Sequence, residues 1–408
     1  MRCRHCAAEL SRTFLDLGSA PPSNAYLTPA GLRAPEVWYP LRLLVCETCW
    51  LVQTEDHAGR EALFTDDYAY FSSFSTSWLA HAKAYVDTMR ERFGLNASSL
   101  VSEIASNDGY LLQYVQQAGI PCYGVEPTAS TARAALDRGL DVVERFFGVE
   151  LARELVSQGR QVDLVAGNNV LAHVPDINDF VAGFALLLKP QGVATFEFPH
   201  LLRMLRENQF DTAYHEHYSY LSLTAVKHVF EANGLAVFDV EEHPTHGGSL
   251  RVFAQRSDVG EHGVTDSVAA LLEREQQAGM TTAEGYADFQ ARTDRVKDDF
   301  LAFLIEARRA GKVVAAYGAA AKGNTLMNYA GVRPDLLAFV VDRNPAKQHK
   351  FMPGSRIPIV DEKHLRAARP DYVVLLPWNL KNELTQQLEY VRAWGARFVT
   401  AVPRLEIL

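Results

Sequence analysis

The stretch from Phe210 to Tyr220 is dense in side chains that can exchange protons. Its eleven residues include histidines, carboxylates and tyrosines, at Asp211, Tyr214, His215, Glu216, His217, Tyr218 and Tyr220. An imidazole with a pKa near neutrality suits a general base, and a neighbouring carboxylate or phenol can orient it or bind a substrate. In an extended conformation, His215 and His217 face one way while Tyr214 and Glu216 face the other.

Two other interpretations of this segment remain open. Aromatic-rich loops often have only a packing role, so the polar groups are also compatible with hydrogen bonds that fix the conformation of the loop. His215 and His217 with the intervening Glu216 are also compatible with a divalent metal site. That interpretation is the least favoured, because no H-E-x-x-H helix accompanies the histidines.

Four cysteines lie in two close pairs near the start of the sequence. Because no apolar signal-peptide core is present, we expect these thiols to be reduced rather than paired in disulfides. Four thiolates complete the tetrahedral shell of zinc with no open position, which predicts a structural metal site at Cys3, Cys6, Cys46 and Cys49. The proline-rich stretch between the pairs is expected to loop out from the metal. Cys122 is expected to be a small buried side chain.

A strand, a tight turn and a helix are predicted around Leu100–Leu112. The next predicted strand ends in Glu126, about twenty residues on, the spacing of acids that bind ribose hydroxyls. The turn lacks G-x-G-x-x-G, and its acids suit a cationic or zwitterionic ligand such as S-adenosylmethionine (SAM). A ligand-free crossover is the alternative. The expected cofactor contacts are Glu103, Ala105, Asn107, Gly109 and Glu126.

Further along the chain, predicted helices and strands alternate as in a doubly wound sheet. The strand 162–167 is followed by Asn168 and Asn169, which we expect at the cofactor because ligands lie beyond the carboxyl ends of strands. Phe146 is a candidate for stacking on the adenine ring. His173 is a candidate cofactor contact in the cleft and is equally compatible with a helix cap or a packing histidine.

The segment from Arg60 to Ser77 is rich in aromatic and hydroxyl side chains. It is compatible with a packing surface or with a lid that brings Tyr70 over the cofactor. Paired glycines around residues 245–251 predict a turn that approaches a ligand closely, or a plain hairpin. His246, Gly247 and Arg251 in this turn are candidates for substrate contact. His215 of the YHEH segment is a further candidate.

The last third of the sequence repeats the pattern of strand, glycine turn and helix. Lys322 and Thr325 near a helix start would suit a diphosphate, and an unliganded duplicate scaffold is the alternative. The substrate residues expected in this half are Lys322, Asn324, Thr325, Asp342, Trp378 and Asn379.

Length and composition bound the architecture. A chain of 408 residues is too long to fold around a single hydrophobic core. We therefore expect an α/β protein with domains at 1–70, 71–256 and 257–408. The net charge of -9, without a basic stripe, argues against nucleic acid as a partner. No apolar run approaches the length of a membrane span. We therefore expect a cytoplasmic protein.

The ordered motifs resemble a known family. The CxxC pairs, YAYFSS, EIASNDG, GVEPT, NNVLAHVP, YHEH and HGGSLR resemble the SAM-dependent C-methyltransferases that act on nucleotide-linked 4-keto-deoxysugars. The resemblance spans the whole chain, and YHEH is its most specific part. Position 215 departs from some members, which have Asp where this chain has His.

This resemblance implies a Rossmann-like class I methyltransferase domain, a small N-terminal zinc module and a second Rossmann-like C-terminal domain that binds the sugar nucleotide. It also implies zinc at the four cysteines, SAM at Glu126 and the 103–109 turn, and His217 as the base. Tyr214, Glu216 and Tyr70 would line the sugar site.

The implied chemistry starts from a ketone at C4, which acidifies a neighbouring C–H so that one base can form an enolate. The enolate attacks the sulfonium methyl group. We expect a dTDP-linked sugar methylated at C3, with C5 as the alternative, and a monomer or weak oligomer. An O- or N-methyltransferase and a non-catalytic sugar-nucleotide-binding protein are the rival functions.

Overall fold

The structure is a computed structural model that describes residues 1–57 and 71–408. The described strands form sheets of four, seven and six strands. The expected lid residue Tyr70 lies outside the described residues.

The elements are numbered along the described chain. The strands are β1 (Arg12–Ala20), β2 (Tyr39–Val45), β3 (Val52–Thr54), β4 (Val101–Ile104), β5 (Cys122–Val125), β6 (Val142–Val143), β7 (Val162–Asn168), β8 (Leu188–Pro199), β9 (Ser219–Tyr220), β10 (Leu235–His243), β11 (Ser249–Arg256), β12 (Val314–Tyr317), β13 (Val340–Val341), β14 (Ile359–Val360), β15 (Tyr372–Leu375), β16 (Arg397–Thr400) and β17 (Glu406–Ile407). The α-helices are α1 (Thr76–Phe93), α2 (Leu112–Gln117), α3 (Ala129–Leu136), α4 (Val149–Ser157), α5 (Ile177–Leu187), α6 (Leu201–Arg206), α7 (Leu223–Ala232), α8 (Asp266–Gln277), α9 (Phe289–Arg309), α10 (Ala321–Tyr329), α11 (Glu362–Ala368) and α12 (Lys381–Gln387).

The seven-stranded sheet has the order β10-β11-β8-β7-β4-β5-β6. The strands from β8 to β6 run parallel, whereas β11 pairs antiparallel with β8 and β10. The chain order reverses between β4 and β7, and ligands of open α/β sheets bind at such a switch point, beyond the carboxyl ends of the strands. The turn after β4 is at this point, in the Rossmann-like arrangement that the sequence predicts.

The start of β8 corrects one sequence prediction. Pro190 and Gly192 predict a turn, with the next strand beginning at Val193. In the structure β8 already begins at Leu188, which pairs with Val162, and the register shifts before Val193 meets Leu164. The intervening residues form a bulge that stays on the sheet, and because Leu188 is fully buried the strand is held there.

The six-stranded sheet has the order β14-β13-β12-β15-β16-β17, and its first five strands run parallel. It is a second Rossmann-like unit, joined to the first by α8 and α9. Its order reverses between β12 and β15, so its own switch-point crevice lies between the turn at Gly318 and Pro377. These two residues are in close contact, because a Cβ on Gly318 would lie 2.5 Å from Cγ of Pro377.

The N-terminal module is built on the sheet β1-β2-β3-β9, whose last strand comes from the segment after YHEH. β1 and β2 pair antiparallel and flank the proline-rich stretch, which between residues 21 and 38 contains one short 3-10 helix, Gly31–Arg33, and neither an α-helix nor a strand of the sheet. Leu15 and Leu17 of β1 are buried and Asp16 between them is exposed, which is the alternation of a strand with one face in the core. Phe14 stacks on Phe289 of α9 at 4.8 Å between ring centroids, so this module shares a core with the C-terminal unit.

Helix ends follow local capping chemistry. The sequence predicts a helix over 78–92, and α1 begins earlier because Ser75 Oγ accepts the N–H of Trp78 at 3.2 Å. It ends at Gly94, whose φ of 63° is left-handed. Within the described ranges, no helix combines the length and apolar character that a membrane span requires.

Candidate active site

The turn between β4 and α2 has a tight backbone. Ala105 and Asn107 adopt left-handed φ values of 59° and 50°, and Gly109 has a φ of 78°. A Cβ on Gly109 would lie 2.2 Å from Cδ1 of Leu140, so conformation and space both require glycine. The turn is thereby held compactly at the carboxyl edge of the sheet.

Three buried carboxyl groups surround this turn, those of Glu103, Asp108 and Glu126. Glu126 accepts the backbone N–H groups of Asn107 and Thr128, each at 2.9 Å. Burial raises the pKa of Glu103 well above its ordinary value, and the charges of Asp108 and Glu126 add to the shift. Asp108 Oδ1 has no hydrogen-bond partner among the described residues. The ammonium and sulfonium groups of bound SAM would favour the ionised form of these carboxyl groups, so the three acids fit that cofactor.

The segment before α1 covers the turn. Ser72 donates its backbone N–H to Asn107 Oδ1 at 2.9 Å, and Ser73 Oγ donates to the carboxylate of Asp108. Both serines belong to the aromatic and hydroxyl-rich segment for which the sequence left packing and a lid open. Their contacts place the end of that segment on the predicted cofactor turn.

The carboxyl end of β7 brings the two asparagines to the same edge. The N–H of Asn169 donates to the carbonyl of Glu197 at 2.7 Å, and its Nδ2 donates to Nε2 of His246 at 3.1 Å. Asn168 faces the hydroxyl group of Tyr110, which also faces Glu103. Phe146 follows β6 at the neighbouring carboxyl end and is 37% exposed.

The YHEH segment is not extended, which corrects the prediction that its side chains alternate between two faces. The N–H of His217 donates to the carbonyl of Tyr214 at 3.0 Å and closes a turn. The Tyr214 and His217 rings are therefore neighbours, with centroids 4.0 Å apart. Residues predicted on opposite faces are thus brought together.

The hydrogen bonds of His217 define its tautomer. Nδ1 lies 3.1 Å from the carbonyl oxygen of Thr212, which can only accept, so Nδ1 carries the proton and Nε2 has the lone pair. Burial lowers the pKa of His217 well below its ordinary value, and nearby His173 acts in the same direction. The ring is therefore a neutral imidazole at pH 7, and this is the protonation state that a general base requires.

His173 packs against the ring of His217. Its ring centroid lies 4.6 Å from that of His217, and its Nδ1 donates to the backbone carbonyl of Glu216 at 2.8 Å. Burial lowers the pKa of His173 to about 4. The sequence assigned His173 to the cofactor side, whereas its contacts place it against the YHEH turn.

His215 and Glu216 point away from His217. His215 Nε2 donates to the carbonyl of Pro40 at 3.2 Å, and its ring lies beside Tyr39 of β2. Glu216 is buried and accepts from Asn24 Nδ2 at 3.2 Å. Both side chains attach the YHEH turn to the N-terminal module.

The loop before β11 brings His246 into the cleft. Its Nε2 accepts from Asn169, and its ring is 5.0 Å from that of Trp78. Burial lowers the pKa of His246 to about 4. Gly247, with a φ of 94°, packs on Trp378, since a Cβ there would lie 2.7 Å from the indole. Arg251 is instead buried, with Nη2 2.9 Å from the Glu197 carboxylate.

The C-terminal unit presents Lys322 to the same space. Its Nζ donates to Asn379 Oδ1 at 2.8 Å and lies 4.6 Å from the centre of the Trp378 ring. Trp378 Nε1 donates to Asp211 Oδ2 at 2.7 Å. Burial raises the pKa of Asp211 to about 6, and the charge of Lys322 opposes that shift. Asp211 belongs to the segment identified from the sequence but was given no role there, although its position just before YHEH was a usable signal.

The other residues predicted for the substrate in this half hold elements together. Asn324 Nδ2 donates to the carbonyl of Ser23 at 2.6 Å, and Thr325 Oγ1 donates to that of Ala213 at 2.7 Å. Asp342 accepts the N–H of Ala319 at 2.8 Å. Asn324 and Thr325 are also fully buried, at 1% and 2% exposure, which favours a structural role for them.

The cysteine pairs form two matching knuckles. The N–H of Ala7 donates to the carbonyl of Cys3, and that of Trp50 donates to Cys46, at 3.0 and 2.8 Å. Ala7 and Trp50 both have left-handed φ values, 57° and 60°. The same turn therefore presents each pair.

The sulfur positions fit zinc. Sγ of Cys3 lies 3.6 Å from that of Cys49, Sγ of Cys6 lies 3.5 Å from that of Cys46, and the four ligand atoms are within 4.8 Å of one another. Tetrahedral Zn–S bonds of about 2.3 Å place sulfurs about 3.8 Å apart. A four-thiolate shell has no open position, so the site is structural.

Family models match successive parts of the chain. A zinc binding domain matches residues 3–64, a methyltransferase domain residues 78–240, and a C-methyltransferase C-terminal domain residues 244–403. Together with the turn after β4 and the four-cysteine site, they define a SAM-dependent methyltransferase that carries structural zinc.

The C-methyltransferase NovU of Streptomyces niveus is 34% identical over 406 residues, which cover 100% of this chain and 96% of that protein. The chain therefore belongs to the C-methyltransferase family that its motifs resemble.

Solved structures overlap with about half of the chain. Magnesium protoporphyrin IX methyltransferase of Synechocystis PCC 6803 with bound SAM has 16% identity and a TM-score of 0.36, covering 50% of this chain and 100% of that one. An S-adenosylmethionine-dependent methyltransferase of Clostridium acetobutylicum has 9% identity and a TM-score of 0.34, covering 43% of this chain and 90% of that one. Because these TM-scores are low, the solved structures are not used to assign the chain to a family.

The metal site yields the first prediction. Replacing the partly exposed Cys6 by serine removes one thiolate, and we expect the purified variant to lose most of the zinc that the wild-type chain retains. Cys122→Ser, which alters a cysteine outside the cluster, serves as the control with full zinc. Metal content is measured by mass spectrometry on dialysed protein. A Cys6→Ser chain that keeps a full equivalent of zinc contradicts the site.

Proposed function

We propose that this C-methyltransferase acts on a nucleotide-linked 4-keto-deoxysugar, with dTDP as the nucleotide and C3 as the methylated carbon. The motif resemblance supports this substrate class, and membership of the family supports transfer to carbon. We also propose that the chain divides into a zinc module at 1–70, a methyltransferase domain at 71–256 and a sugar-nucleotide domain at 257–408.

The observation that carries the proposal is the neutral imidazole of His217, whose lone pair is on Nε2. Methyl transfer to an oxygen or nitrogen atom does not require a base that removes a proton from carbon. A ketone at C4 makes the adjacent C–H acidic enough for such an imidazole to remove.

In the proposed mechanism, Nε2 of His217 takes the proton from the carbon next to the ketone, and the C–H electron pair becomes the enolate. When bound, SAM supplies an electrophilic methyl group and leaves as S-adenosylhomocysteine. His173 and Tyr214, packed on the His217 ring, hold it in place. Burial removes water that would stabilise the imidazolium form, so the base stays neutral before the substrate binds.

The remaining cleft residues are assigned to the substrate by charge and shape. Lys322 supplies positive charge for the enolate oxygen or the diphosphate, and Trp378 supplies an aromatic surface beside it. His246 accepts a hydrogen bond from Asn169 and precedes Gly247, which packs on Trp378, and these contacts support its assignment to the sugar. Zinc takes no part in the reaction.

Glu126 is proposed to bind the ribose of SAM. In Glu126→Gln, a charge-assisted hydrogen bond becomes a neutral one, so we expect SAM affinity to fall about 10- to 100-fold. Glu91→Gln, an exposed substitution on α1, should bind normally. Isothermal titration calorimetry measures both, and unchanged affinity in the Glu126 variant contradicts the assignment.

The proposed base is tested in deuterated water with SAM and a dTDP-linked 4-keto-6-deoxyhexose. Wild-type protein should yield a sugar with a new carbon–methyl bond, and without SAM it should exchange the acidic C–H for deuterium. His217→Ala should lower both rates by about 10²- to 10⁴-fold while SAM affinity is retained.

His228→Ala is the matched control, because His228 is an exposed histidine on α7. Its turnover should equal that of the wild-type protein. Mass spectrometry and NMR of the product locate the methyl group, and an O-methyl or N-methyl product would overturn the substrate assignment. Normal turnover by His217→Ala would overturn the base assignment.

A further inference from the structure

The segment that carries the proposed base continues directly into the sheet of the zinc module. β9, which follows YHEH, pairs antiparallel with β3, with Val52 opposite Tyr220 and Gln53 opposite Ser219. Thr54, the last residue of β3, reaches further along the same segment. Its N–H donates to the carbonyl of Tyr218 at 3.1 Å.

The hydroxyl group of Thr54 contacts the base residue itself. Thr54 Oγ1 donates to the backbone carbonyl of His217 at 3.2 Å, and Thr54 is only 3% exposed. His217 is thus fixed at three points. Its backbone N–H donates to the Tyr214 carbonyl, and its ring Nδ1 donates to the Thr212 carbonyl. Its own carbonyl accepts from the hydroxyl group of Thr54.

The preceding residue of β3 contacts the metal site. Gln53 is fully buried, and its Nε2 donates to Sγ of Cys3 at 3.3 Å. Its Oε1 accepts the N–H of Arg4 at 2.9 Å, so the first knuckle is tied to β3 twice. A donor to a metal-bound thiolate orients that ligand and is held by it in turn. Adjacent residues of one short strand therefore contact a zinc ligand and the proposed base.

We propose that β3 positions the general base, with Thr54 as the positioning residue and the zinc site as the anchor of the strand. This inference rests on the proposed function, because it takes His217 as the base. Zinc would then support catalysis without approaching the substrate. A displacement of the base by about 1 Å is enough to cost about 100-fold in rate, so a single buried hydrogen bond to its backbone has a measurable effect.

The test compares Thr54→Val with Thr54→Ser. Valine keeps the shape and the backbone pairing but removes the hydroxyl, and we expect kcat and the deuterium-exchange rate to fall about 10- to 100-fold. KM, SAM affinity and zinc content should stay at wild-type values. Thr54→Ser, which restores the donor, should recover most of the rate. Thr88→Val, on the exposed face of α1, is the matched control.

A second measurement uses the wild-type chain, so it does not depend on how a variant folds. Removing zinc with a chelator should speed amide hydrogen exchange in peptides covering 214–220 and leave peptides covering 193–198 of β8 unchanged. Equal exchange of the 214–220 peptides with and without zinc overturns the coupling.

The outcomes separate the inference from the proposed function. If His217→Ala is inactive and Thr54→Val has wild-type kcat, only the positioning role fails. If Thr54→Val loses zinc or SAM binding along with kcat, its role is structural and the inference is again overturned. If His217→Ala turns over normally, the proposed base itself is wrong.

Discussion

The hydrogen bond from Nδ1 of His217 to the Thr212 carbonyl is the contact on which the active site depends, because it determines which ring nitrogen carries the proton. Burial removes the water that would stabilise an imidazolium, so the pKa of His217 is lowered and the ring stays neutral. Together these effects leave a lone pair on Nε2. The turn closed by the N–H of His217 and the carbonyl of Tyr214 then holds the ring in one orientation.

The short segment around this histidine is held by every part of the described chain. The zinc module pairs β3 with β9, the methyltransferase part contributes His173, and the C-terminal unit binds the segment through Thr325 and Trp378. The proposed base has to be shielded from water and still contact the proposed sugar nucleotide, so it needs contacts from several parts of the chain. The four-thiolate zinc site meets this need by stabilising a module too small to be held by its own core.

Sequence patterns predicted the elements that depend on local chemistry. The cysteine spacing identified the zinc site, and the turn after β4 with Glu126 identified the cofactor half. The YHEH conformation was predicted incorrectly because a single turn hydrogen bond, invisible in the pattern, reverses which side chains are neighbours. The pairing of β9 with β3 was also not predicted, since its two strands are distant in sequence and too short to show periodicity. Asn324 and Thr325 were predicted as substrate contacts from their position near a helix start, and their hydrogen bonds to the carbonyl groups of Ser23 and Ala213 join segments too distant in sequence for a local pattern to show.

The most direct test of the central claim is the protonation state of His217. In protein labelled with ¹⁵N at histidine, its ring nitrogens are identified by the signals that vanish in His217→Ala. At pH 7 the account predicts a neutral ring with hydrogen on Nδ1 and none on Nε2. A doubly protonated ring, or a neutral ring with its hydrogen on Nε2, would contradict it.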